Sequence, residues 1–75
     1  MPRLWGALTM RRYRMETWDA TKARCLSIVW ASWPVLARAN ADDPDILAAV
    51  RRLTVGATTS FGGGAAPITR ITRET

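Results

Sequence analysis

Residues 42–64 read DDPDILAAVRRLTVGATTSFGGG, and how far a helix runs through this stretch decides the fold. Asp43, Pro44 and Asp45 supply an N-cap, a preset first helical residue and a carboxylate facing the positive helix end. From there Ile46, Leu47, Val50, Leu53, Thr54 and Ala57 recur at spacings of three and four, which predicts a helix over 44–60 with one packed face. Arg51 and Arg52 fall away from the centre of that stripe. Gly62, Gly63 and Gly64 supply the stop signal, because glycine tolerates the left-handed conformation of a helix end.

Working toward the N-terminus, Thr17 and Asp19 read as the cap and first turn of a second helix. It is expected to run to about Trp33, since Pro34 pushes its predecessor out of helical geometry. Both of its sides are apolar: Trp18, Thr21, Cys25, Ile28 and Val29 make one stripe, and Leu26, Trp30, Trp33 and Ala37 another. Such a helix is either central or covered by a partner. Leu4, Trp5, Leu8 and Met15 stand at helical spacings and suggest a third. Toward the C-terminus, AAPITRITRET (65–75) shows a short ITR repeat and no periodicity that buries a face. The expectation is all-α: a small three-helix domain over 1–61, then a Gly-rich linker and flexible tail over 62–75.

The chain of 75 residues has one cysteine, no histidine and a net charge of +5. A domain this small buries a thin core and ordinarily needs a disulfide, a metal or a partner to supplement it. A lone cysteine rules out an intrachain disulfide and fits a reducing compartment, so a cytoplasmic location is expected. Lacking histidine, the chain cannot build imidazole-centred metal sites or catalytic triads. Cys25 sits in an apolar stretch and reads as inert. No Gly-Lys-Ser/Thr follows the triple glycine, so it is no phosphate loop. Asp42, Asp43 and Asp45 lack calcium-loop spacing, and capping accounts for two of them. We therefore expect no enzyme activity, metal, cofactor or small-molecule substrate. The apolar run from Cys25 to Ala37 is too short for a transmembrane span.

Six of the eleven basic residues precede Cys25. Such a field favours nucleic acid, an anionic membrane surface or an acidic protein. The ten-to-one excess of arginine over lysine suggests phosphate recognition, but the codon usage of a GC-rich genome gives the same bias and is the better explanation. Among the four tryptophans, Trp30 and Trp33 share an apolar stripe and are the best candidates for partner binding.

Three segments, VWASW at 29–33, DDPD at 42–45 and AVRRLTVGATTSF at 49–61, stand in an order and spacing that resembles region 2 of extracytoplasmic-function sigma factors, especially actinobacterial ones. In that family an acidic helix ends in an aliphatic-tryptophan run, a short loop follows, and a helix beginning with a similar arginine pair ends near an aromatic residue. LWGALT at 4–9 is similar to the helix that opens the domain. The resemblance implies that Arg51 and Arg52 face nucleic-acid phosphates or polymerase, and that Phe61 stacks on an unpaired base. Its implied partners are RNA polymerase core and single-stranded promoter DNA. Gly56 stands where the family usually has asparagine, and Gly62, Gly63 and Gly64 where it continues with arginines, so the implied relative is truncated or divergent. Taken without the family, the arginine pair also reads as a solvated helix face. Two rivals follow from the residues alone: a small protein-interaction subunit whose tryptophans complete a partner's apolar surface, and a peripheral membrane peptide.

Overall fold

A computed structural model describes residues 10–21 and 23–75. Its elements are strand β1 (Arg12–Trp18), strand β2 (Cys25–Ser32), helix α1 (Trp33–Ala39), helix α2 (Pro44–Arg51), strand β3 (Thr58–Gly62) and strand β4 (Ile68–Arg73). The strands form one antiparallel sheet in the order β2-β1-β4-β3. The fold is therefore α+β, and the expected all-helical, three-helix domain is corrected. The expected helix through Leu4, Trp5 and Leu8 lies outside the described residues, whereas Met15 is in β1.

Strand β1, RYRMETW, alternates its side chains between the two sides of the sheet, with Tyr13 buried on one and Glu16 on the other. Tyr13 and Met15 point to the helix side. Arg12, Arg14, Glu16 and Trp18 point to the other. The expected helix from Thr17 fails at Asp19, whose Oδ1 accepts hydrogen bonds from the Thr21 hydroxyl at 2.8 Å and the Ala23 amide at 3.0 Å. An aspartate that can cap a helix can equally close a turn. Here it folds the chain back, with the Asp19 amide donating to the Arg24 carbonyl at 3.0 Å. The following Ser-Ile-Val-Trp run is rich in residues that suit a pleated surface and becomes β2. Pro34 then opens α1 at its first turn, where a missing amide costs nothing.

Helix α2 starts as expected. Asp43 is its N-cap and accepts from the Ile46 amide at 3.4 Å. Replacing Asp43 with alanine is expected to cost about 1 kcal/mol in urea unfolding, and an unchanged midpoint would contradict the cap. The helix ends at Arg51, well short of residue 60. The Ala57 amide donates to the Thr54 carbonyl at 2.9 Å across a turn with Gly56 at φ 87°. Beyond it the β-branched Thr58 and Thr59 enter β3.

The three glycines connect β3 to β4 instead of ending a helix. Gly62 has φ 94°, and a Cβ there would lie 2.3 Å from the Pro67 carbonyl oxygen. Gly62→Ala is expected to lower stability by about 2 kcal/mol, measurable as a reduced Tm. A Tm equal to the wild type would show that the hairpin is not built this way. The segment expected to be a flexible tail contains β4, a central strand, and the boundary expected at 61/62 falls inside β3. Its ITRITR repeat of three runs across a structural period of two, so Ile68 and Ile71 land on opposite faces, as do Arg70 and Arg73.

Both helices cover the side of the sheet that carries Tyr13 and Ile71. Tyr13, Leu36, Val50 and Ile71 are fully buried there with Trp33. The Tyr13 and Trp33 rings lie 6.1 Å apart and tilted at 50°. Met15, Ile46, Leu47, Leu53 and Phe61 pack around this cluster.

Candidate interaction edge

Strand β2 occupies one end of the sheet and pairs only with β1, so its outer backbone edge is unpaired among the described residues. Leu26, Ile28, Val29 and Trp30 are 51, 47, 54 and 56% exposed. Ile28 and Trp30 project from the side opposite the helices. Val29 lies on the helix side, opposite Met15, yet stays exposed. Soluble proteins ordinarily protect a sheet edge with charges, proline or a covering element. β2 is CLSIVWAS, with no charge and no proline over eight residues. Its single irregularity is near one end, where the register shift between Thr17 and Trp18 leaves Leu26 without a cross-strand partner in β1.

The open face beside this edge is charged but compensated. Glu16, nearly buried, lies 2.9 Å from Arg14 Nε as an ion pair without hydrogen-bond alignment, and 3.7 Å from Arg70 Nη1. It also accepts a hydrogen bond from Trp18 Nε1 at 2.9 Å. The Arg70 guanidinium lies over the Trp18 ring, 5.5 Å from its centroid. Arg14 reaches Glu74 at 3.5 Å. Both faces of Trp18's chemistry, its N–H and its ring, are thus engaged within the chain.

Two further arginines serve the fold. Arg11 Nη1 donates to the Arg51 carbonyl at 2.9 Å, and Arg73 Nη1 to the Leu53 carbonyl at 3.0 Å. These carbonyls lie at and just beyond the C-terminal end of α2, where backbone acceptors lack helical partners and cations are favoured.

No protein-family model, curated protein or solved structure matches the chain.

The residues singled out from the sequence do not form one surface. Arg51 and Arg52 are exposed at the end of α2. Phe61, expected to stack on a base, is half-buried in β3 and packs against the core cluster. Trp30 is exposed on the edge strand, but Trp33, proposed with it for partner binding, is 7% exposed inside the core. The change from strand to helix between them sends the two rings to different sides. Cys25 is half-buried at the start of β2, with its thiol 3.5 Å from the Ser27 carbonyl, rather than sealed inside a helix. Helical spacing assigns Leu26, Ile28 and Val29 to stripes, whereas in the structure they line an edge strand. Its available signal was the Ser-Ile-Val-Trp run following an alternating β1.

The Thr21 hydroxyl holds the Asp19 carboxyl below its ordinary value against an opposing desolvation, and amides of the same turn act in the same direction as the hydroxyl. A depressed folded pKa adds stability above the unfolded value and loses it as pH falls through the folded one. Thr21→Ala is therefore expected to move the Asp19 titration upward toward that of an ordinary aspartate, as followed by NMR. A titration unmoved by the substitution would contradict the turn geometry.

Proposed function

We propose that this chain is a non-catalytic, cytoplasmic protein-interaction module that docks by adding a strand at the β2 edge. The observation that carries this reading is the uncharged strand β2, whose Leu26, Ile28, Val29 and Trp30 are about half exposed beside an unpaired backbone edge. Strand addition supplies main-chain hydrogen bonds for affinity, and alternate side chains for selectivity. Lateral contact also extends the thin core of a small domain.

A polyanion-binding role is less well supported. Arg14 and Arg70 are paired with Glu16, Arg11 and Arg73 serve carbonyls at the end of α2, and Phe61 sits on the core side. Four of the arginines are thus engaged with partners inside the chain. An interfacial membrane peptide needs a long amphipathic helix. The two helices here have seven and eight residues, and none among the described residues is long and apolar enough to cross a membrane.

A photoreactive residue placed at Ser27 on β2, and separately at Arg52 on the far helix end, tests the edge in cells producing the full chain. Adducts to a protein are expected from position 27 and not from position 52. Adducts confined to position 52, or none from either, would contradict docking at β2.

A further inference from the structure

We propose that the strand received at the β2 edge is β2 of a second copy of this chain, paired antiparallel about a two-fold axis at Ile28. The proposal rests on the edge reading above and identifies its occupant. Two-fold symmetry perpendicular to the sheet makes like faces continuous, so opposed residues must have the same parity along the strand. With Ile28 opposite Ile28 of the second copy, Leu26 stands opposite Trp30 and Trp30 opposite Leu26, giving apolar cross-strand neighbours. On the helix side Ser27 meets Val29. Moving the axis to Val29 places Leu26 against Ser32, and moving it to Ser27 places Trp30 against Arg24. The register at Ile28 alone sets Leu26, Ile28 and Trp30 against one another.

Charge selects the same arrangement. The chain carries +5 overall, yet β2 is free of charge, so two copies meet without like charges along the contact. Arg24, at the entrance to β2, lies opposite Ser32 of the second copy. The two Arg24 residues are then separated by eight strand positions, roughly 27 Å at about 3.4 Å per residue, beyond the Debye length of about 8 Å in physiological salt. A parallel pairing would bring them to the same end. Ile28 and Trp30 are half exposed on the open side of this edge and Val29 on its helix side, with Leu26 half exposed at its end. Lateral pairing covers the flanks of these side chains on both copies and adds a backbone ladder, a contact of the small, weakly associating class.

Sedimentation equilibrium of the full chain from micromolar to millimolar concentration tests the proposal, with Ile28→Lys and a control, Val35→Lys, on the exposed side of α1. The wild type and V35K are expected to be dimers. In I28K two lysines meet at the axis, and dimerisation weakens by about a hundredfold or more, while circular dichroism stays that of the wild type. A second measurement uses Ile28→Cys in a Cys25→Ser background, which is expected to oxidise to a disulfide-linked dimer, whereas Ser60→Cys in that background is not. This measurement decides the matter if I28K does not fold. A wild type that is monomeric throughout overturns the second copy as occupant, while position-27 adducts to another protein would leave the edge reading standing. A dimer that survives I28K unchanged, or is lost equally in V35K, or an I28C chain that forms no disulfide dimer, also overturns the proposal.

Discussion

Deletion of residues 65–75 is expected to abolish the folded state, with loss of the cooperative thermal transition and of the strand signal in circular dichroism. The segment removed contains β4, which pairs on one side with β1 from Tyr13↔Arg73 to Trp18↔Ile68 and on the other with β3 from Thr58↔Thr72 to Gly62↔Ile68. Without it the four-stranded sheet is left as one hairpin and an isolated strand, and a lone hairpin is at best marginal in water. The deletion also removes Ile71, fully buried in the core, and Arg73, whose guanidinium holds the Leu53 carbonyl. If 65–75 were a flexible tail, the truncated chain would melt like the full one. That outcome would contradict the sheet order.

Leu36→Ala is expected to destabilise the protein by about 3 kcal/mol, within the range for emptying a well-packed core site. Leu36 is fully buried in the middle of α1, among Tyr13, Trp33, Val50 and Ile71. It joins the helices to the sheet, so the cavity cannot collapse by moving one element. A core in a chain of this length rarely supplies more than about 5 kcal/mol, so the variant is left close to its unfolding midpoint. Chemical denaturation compared with Val35→Ala checks this. Val35 is the neighbouring residue on the exposed side of the same helix, and its truncation is expected to change stability by less than about 0.5 kcal/mol. Equal effects at the two positions would mean that α1 does not face the sheet as described.

Some of this architecture was legible in the sequence. Asp43-Pro44-Asp45 marks a helix start because capping, fixed φ and charge act together over three residues, and the structure begins α2 there. Other signals had two meanings. Asp19 caps a helix or closes a turn with the same carboxylate, and only the pairing of β1 with β2 decides. Pro34 stops a helix that precedes it or starts one that follows, and here it starts α1. In β4, the three-residue repeat concealed the alternation that would have identified a strand. The candidate site is partly visible: the pattern points to Trp30, but a spacing of three places Trp33 beside it only if the segment is helical. Strand pairing is non-local, and neither the order β2-β1-β4-β3 nor the exposure of β2 follows from the local pattern of any one segment.

Strand β4 inserts between β1 and β3, and β2 is an edge with β1 as its one neighbour among the described residues. Backbone NMR of the full chain tests it most directly through Met15, which lies opposite Val29 on one side and Ile71 on the other. Cross-strand nuclear Overhauser contacts are expected from the Met15 backbone to both Val29 and Ile71. Contacts from Met15 confined to its near neighbours in sequence, with helical connectivities running from Trp18 through Trp33 and no contact to Ile71, would contradict the account.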